Sequence, residues 1–334
     1  MTRKGVNGLR YEPTEYLYAS ARIRALETRL LHTKQRGQLL SAPSVRALLD
    51  ELDAKDADRT LTDGERGEAM LQERLQAAFA VVRDSVPDPT LTRFLQYPYD
   101  CHNLKVLEKC RQKGIDPTKL LIDLGSISVN TLLTVSENEL LPLLPTHLAR
   151  AVTESREAYA KTADPQEIDF ILDRAAFADM AEAAAPFPLA REWVTARIDL
   201  SNLLFCLRLL RMQSGDLGRA VLNRAALPSG TLSAELLLEC YDGGEEFLIK
   251  KAESSPYVGV FHENASLADT EKSIDNYLMG MVKKARALPF GAEIPIAFLL
   301  AAEADCKNLR ILLAGKTAGL DPDTIQSRMR DCYV

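Results

Sequence analysis

The sequence predicts an all-α fold, and three observations carry that prediction. Aliphatic residues recur at three- and four-residue steps through nearly the whole chain, the period of one helix face. Period-two alternation with β-branched enrichment is rare. One short helix signature, Asp-x-x-Asn-Leu, stands at Asp100/Asn103/Leu104, at Asp199/Asn202/Leu203 and at Asp305/Asn308/Leu309.

The bulk properties fit such a fold. A chain of 334 residues has ample length to bury a core, and 46% hydrophobic with 26% charged residues is ordinary for a globular protein. Forty-one Lys and Arg against 47 Asp and Glu leave a net charge of −6, which carries no nucleic-acid or anionic-membrane footprint. The longest clean apolar run, Ile296 to Ala302, is bounded by Pro295 and Glu303 and is far short of the ~20 residues that span a bilayer. No transmembrane segment is expected. The polar start, Met1 to Tyr11, lacks the apolar core of a signal peptide and points to a cytoplasmic protein. Cys101, Cys110, Cys206, Cys240, Cys306 and Cys332 form no metal or disulfide pattern, and are expected to be buried, inert thiols.

Taken in order, the first helix follows Pro13-Thr14-Glu15 and places Tyr16, Ala19, Ile23, Leu26 and Leu30 on one stripe. Breaks are expected at the charge-rich stretches Asp50 to Glu68 and Ala163 to Gln166, and at Pro228-Ser229-Gly230, Gly243-Gly244 and Ser254 to Gly259. The signatures anchor the rest. Gly114-Ile115-Asp116-Pro117 follows Asn103 and Gly319-Leu320-Asp321-Pro322 follows Asn308 at the same distance, while the nearest glycine after Asn202 is Gly215. Glycine suits the left-handed residue past a helix end, and proline cannot continue the helix. Ile168-Asp169 precedes Asp199, and Ile274-Asp275 precedes Asp305, by equal lengths of chain. A fainter echo links Ala21-Arg22-Ile23 to Ala196-Arg197-Ile198. The repeat divides the chain into helical units at 1–99, 100–198 and 199–334, the last including the C-terminal helix.

Residues three apart share a helix face, so Asp100 with Asn103, Asp199 with Asn202 and Asp305 with Asn308 each point one way. Apolar residues continue each face: Val106 and Leu107, Phe205 and Cys206, Ile311 and Leu312. An amide emerging from such a stripe is partly buried and must find partners, and a backbone loop is the natural one. The six residues are therefore expected to tie each helix to a loop or to the next unit; the alternative is that Asp merely caps a helix start. Catalytic chemistry is not expected. Gly315-Lys316-Thr317 resembles the end of a phosphate loop, but Arg310 stands where its first glycine belongs and a helical run precedes it. His32, His102, His147 and His262 are widely separated and lack a ligand neighbour in sequence, and acid pairs such as Glu245-Glu246 read as solvated faces. No cofactor or metal is expected.

The opening Tyr16-Leu17-Tyr18-Ala19-Ser20-Ala21-Arg22-Ile23-Arg24-Ala25-Leu26-Glu27, the three signature helices, and the closing Glu303-Ala304-Asp305-Cys306-Lys307-Asn308-Leu309-Arg310 with Tyr333 resemble the C-type stalk component of V-type and A-type rotary ATPases, the relative of the eukaryotic d-type component. The resemblance implies a funnel of three helical units with pseudo-three-fold symmetry. It implies a non-catalytic coupling between the central-stalk proteins of D and F type and the membrane rotor ring of c or K type, lying peripherally on the cytoplasmic side. The second copy departs from exact equivalence, with Leu204 where the others have Lys105 and Arg310. The loops Gly125-Ser126-Ile127 and Pro228-Ser229-Gly230 are expected at an interface rim. Two other readings share the all-α class: a cytoplasmic helical scaffold without a rotary role, whose solenoid form would need a period far shorter than this one, and a helical enzyme with an unfamiliar site.

Overall fold

The computed structural model describes residues 12–52, 62–135 and 137–334, so the polar start at Met1 to Tyr11 and the middle of the charge-rich break lie outside the described residues. Among the described residues every regular element is helical. In chain order these are α1 (Leu17–Leu26), α2 (Thr33–Ser41), α3 (Val45–Glu51), α4 (Asp63–Arg83), α5 (Arg93–Lys113), α6 (Val129–Thr134), α7 (Glu137–Leu140), α8 (Thr146–Thr162), α9 (Pro165–Ala184), α10 (Pro188–Arg211), α11 (Gly215–Ala225), α12 (Ala234–Glu253), α13 (Leu267–Lys283), α14 (Glu293–Thr317) and α15 (Pro322–Arg328). None is long and apolar enough to cross a membrane.

Local chemistry starts these helices where the sequence signals them. Thr62 caps α4 by accepting from the Glu65 N–H at 3.3 Å while the Glu65 carboxylate accepts from the Thr62 N–H at 2.9 Å, a reciprocal box. Asp164 accepts from the Gln166 N–H at 2.9 Å with Pro165 at the first helical position of α9, and Ser233 and Ser266 cap α12 and α13. The Gly243-Gly244 break lies within α12 as a kink, with Gly244 at φ 82°.

The chain forms two compact units. One comprises the described residues up to Pro89 together with Asn264–Val334, and the other is Thr90–Glu263. In the first, α14 is the centre, with α1, α3, α4, α13 and α15 packed on it. The apolar run Ile296 to Ala302 lies buried within α14. From α1, Ala19 and Ile23 enter this core and Leu26 stays half-buried, while Leu30 is reached after the α-helix has ended. In the second, α9 touches α5, α8, α10 and α11. Its core joins Cys101 and Leu104 to Leu148, Val152, Ile168, Leu172 and Ala176. Burying an aliphatic side chain of this size stabilises the fold by about 1.5–3 kcal/mol. All six cysteines are free and buried, and burial pushes the Cys206 and Cys306 thiols up to about 12.

The helix exits correct one expectation. Gly114 and Gly319 sit in the left-handed region at φ 62° and 68°, as expected. After Asn202 Gly215 is left-handed as well, at φ 51°, but it opens α11, and the residue at the same count from the asparagine as Gly114 and Gly319 is Gln213 at φ 53°. A side chain in the left-handed region costs about 1–2 kcal/mol relative to glycine. Gln213→Gly should therefore stabilise the chain by about 0.5–1 kcal/mol after the added unfolded-state freedom is subtracted. Thermal melting would show this as a rise of a few degrees, and a fall would mean that the exposed Gln213 side chain has a contact of its own.

Candidate functional site: three tied signature helices

The signature residues lie in mid-helix. Asp100 and Asn103 are in α5, Asp199 and Asn202 in α10, Asp305 and Asn308 in α14, and all six are buried. None of the three aspartates caps its own helix.

Each asparagine makes the same pair of bonds. Asn103 donates Nδ2 to the Ile122 carbonyl at 2.8 Å and accepts the Ile122 N–H on Oδ1 at 2.8 Å. Asn202 treats Leu227 in the same way at 3.0 and 2.8 Å, and Asn308 treats Arg330 at 3.2 and 2.8 Å. The gripped residues stand 19, 25 and 22 positions beyond their asparagines. A primary amide offers one donor and one acceptor in a plane, the complement of one residue's N–H and C=O; a carboxylate can only accept, and leucine can do neither.

The aspartates fasten a second point, with graded strength. Asp199 accepts from the Thr231 N–H at 2.8 Å, the Leu232 N–H at 3.1 Å, the Thr231 hydroxyl at 2.5 Å and the Tyr257 hydroxyl at 2.6 Å. Asp100 accepts from the Ser126 N–H at 3.1 Å, its hydroxyl at 2.5 Å and the Ile127 N–H at 3.3 Å. Burial still outweighs these donors and lifts the Asp100 carboxyl to about 6. Asp305 accepts only from the Leu31 N–H, at 2.7 Å, and its other oxygen is buried without a partner among the described residues. Burial lifts it to about 7, against the lowering effects of that N–H and of Arg74.

Two glycines make the close approach possible. A Cβ at Gly125 would lie 2.2 Å from Asp100 Oδ1, and one at Gly230 would lie 2.1 Å from Asp199 Oδ1. Gly125-Ser126-Ile127 and Gly230-Thr231-Leu232 are thus one device: glycine for clearance, a hydroxyl residue for two bonds, then a third N–H. Read from their letters alone, Gly125-Ser126-Ile127 and Pro228-Ser229-Gly230 stand out only as rim candidates, and Thr231 and Leu232 draw no attention.

The helices carrying the upstream Ile-Asp pairs pack beside signature helices and pair with them. Asp169 of α9 meets Lys109 of α5 at 2.6 Å, and Asp173 meets Lys105 at 2.6 Å. Asp275 of α13 meets Lys307 at 2.5 Å and Arg330 at 2.8 Å. The opening and closing segments also come together: the Tyr333 hydroxyl lies 3.1 Å from Glu27, which Arg24 holds at 2.8 Å, and Arg24 also donates to the Ala285 carbonyl at 2.7 Å. Burial and the Glu27 charge push the Tyr333 phenol up to about 12.

Gly315-Lys316-Thr317 is the last turn of α14; Lys316 donates to the Leu40 and Ala42 carbonyls at 2.6 and 2.5 Å. His147 is isolated in sequence but not in space, since its ligating atoms and those of Asp179 and Glu182 come within 4.8 Å of one another. Asp179 commits both oxygens to the N–H groups of His147 and Leu148, at 3.0 and 2.8 Å, so it holds the start of α8.

Three long helices of one register, each fastened by a buried asparagine to the main chain of a loop, define a helical-repeat protein whose repeated device holds backbone to backbone. The family model described as ATP synthase (C/AC39) subunit matches residues 19–328. The chain is 27% identical to the C-type component of the V-type sodium ATPase of Enterococcus hirae, over 96% of this chain and 99% of that protein. It is 23% identical to the C-type component of the A-type ATP synthase of Methanocaldococcus jannaschii, over 93% and 85%. The corresponding A-type ATP synthase protein of Thermococcus gammatolerans is 21% identical over 94% and 89%. The chain belongs to the ATP synthase (C/AC39) subunit family. It is a component of a V- or A-type rotary ATPase.

Proposed function

We propose that this chain is the non-catalytic member of the central stalk that joins the D- and F-type stalk proteins to the c- or K-type membrane rotor ring, on the cytoplasmic side. There it transmits torque during proton- or sodium-linked ATP hydrolysis or synthesis. Its units are residues 1–99, 100–198 and 199–334, related by pseudo-three-fold symmetry. The observation that carries this reading is the asparagine clamp made at one register of three long helices. A coupling must turn without yielding, and a buried amide gripping both polar groups of a loop residue resists shear in a way that apolar packing alone does not. The rings of Phe94 and Trp193 add support. They stand at the same count before Asp100 and Asp199 and meet edge to face, 6.4 Å apart at 68°. Contact between equal registers is what a rotation relating two helices produces.

The test is coupled transport in vesicles. Complexes assembled without the chain should still hydrolyse ATP but should not drive ion uptake, and adding the chain back should restore uptake. Ion uptake at the full rate without the chain would overturn the proposal.

A further inference from the structure

One guanidinium in the second compact unit lies over two aromatic rings and, among the described residues, has no charge partner. Arg197 of α10 lies 5.1 Å over the Trp193 ring and 6.0 Å over the Phe177 ring, and it is half-buried. Trp193 is itself buried and braced by Phe94. Rings at these distances attract a cation, and the guanidinium fork offers five N–H donors. Among the described residues no carboxylate, carbonyl or hydroxyl accepts from it. That separates it from the comparably buried Arg24, Arg156, Arg211 and Arg330, each of which meets a carboxylate within 2.5–2.8 Å. A half-buried arginine that is oriented but unneutralised is a prepared site for an incoming anion.

The repeat sharpens this. The residue two places before the signature aspartate is Pro98 in the first copy, Arg197 in the second and Glu303 in the third. A pseudo-symmetric body that accepts one asymmetric partner must distinguish its three units, and this register does so by charge.

We propose that Arg197, stacked between Trp193 and Phe177, receives a carboxylate side chain of the stalk protein that docks on this chain. The inference rests on the stalk-coupling reading above. A protein carboxylate matches the planar fork with two parallel bonds. A lipid phosphate is the poorer candidate, because a chain of net charge −6 is repelled by an anionic bilayer.

The experiment measures affinity of the purified chain for the purified D- and F-type stalk pair by calorimetry, over a range of salt, with thermal melting of each variant alongside. Arg197→Ala should weaken binding by about tenfold or more and flatten the salt dependence, with melting nearly unchanged. Arg197→Lys keeps the charge and the fold but loses the fork, and should recover only part of the affinity. Should Arg197→Ala fail to fold, Arg197→Lys and Arg197→Gln carry the same comparison. Wild-type chain that ignores the stalk pair would overturn the coupling reading itself. Wild-type chain that binds, with folded Arg197 variants within twofold of it, would overturn this inference alone. Arg197-dependent binding to phosphatidylglycerol vesicles in place of the stalk pair would overturn the choice of partner.

Discussion

Leucine in place of Asn202 is expected to lower stability by about 2–4 kcal/mol. The two side chains are similar in size, so the loss comes from polarity and not from a cavity. The Leu227 N–H and C=O lose partners at 2.8 and 3.0 Å and face an aliphatic group in a site partly closed to water. Each backbone group left unsatisfied by burial costs about 1–3 kcal/mol, partly relieved if the loop opens to solvent. The same reasoning applies to Asn103→Leu through Ile122 and to Asn308→Leu through Arg330. Asn202→Asp is the finer probe, because it keeps an acceptor for the Leu227 N–H, loses the donor and sets a charge against the Leu227 carbonyl. Denaturant unfolding should show loss in all four variants. Stabilities within about 0.5 kcal/mol of wild type, the range of ordinary surface changes, would remove the clamps from the account.

The second large effect concerns Asp305. Its carboxyl sits at about 7 in the folded chain, against an ordinary value of 3.8, because burial leaves it with one N–H donor and a bare oxygen. A raised acid pKa means that the folded state binds the proton more tightly than the unfolded state. The stabilisation is complete below pH ~4 and is lost as pH rises through ~7, leaving a cost on the order of a few kcal/mol above that. The charged and titratable groups that bear on it are Arg74, Cys306 and Cys332. Asp305→Asn, which cannot ionise, should match wild type only near pH 3.5, and should exceed it increasingly up to pH 8. Asp199→Asn should lower stability, since Asp199 accepts from four donors, among them Tyr257 at 2.6 Å, and an amide oxygen cannot replace both carboxylate oxygens. Melting curves at the two pH values decide the matter. Asp305→Asn less stable at pH 8 than wild type would mean that the carboxylate is held as an anion and is needed there.

Why the third copy differs is visible in what holds it. Asp100 and Asp199 each find a Gly-Ser or Gly-Thr loop downstream within their own compact unit, whereas Asp305 finds Leu31, 274 residues earlier. The partner helix of α14 is likewise drawn from the start of the chain, with Glu68 of α4 meeting Arg310 at 2.6 Å. The last signature helix is completed by the N-terminal segments.

The all-helical class and the three signature helices were legible because period and spacing are written in side chains. The grip of each asparagine was not, since what it holds is main chain. Ile122, Leu227 and Arg330 share no side-chain property, so nothing in their letters marks them. The Gly-Ser and Gly-Thr loops carried a readable signal, a hydroxyl residue directly after glycine, but its distances of 26 and 32 residues from the aspartate differ enough to hide the match. Gln213 is hidden for the opposite reason. The nearest glycine draws attention to position 215, although the helix ends by its own count. His147 meets Glu182, 35 residues away, through the packing of α8 on α9, a relation that no linear spacing expresses.

Amide hydrogen exchange at Ile122, Leu227 and Arg330 tests the central claim most directly, because those three N–H groups are the ones the asparagines hold. In the wild-type chain they should exchange as slowly as the buried helix amides beside them, and each should become fast only when its own asparagine is replaced by leucine. Exchange at the rate of free loop amides in the wild-type chain would contradict the account, whatever the family to which the chain belongs.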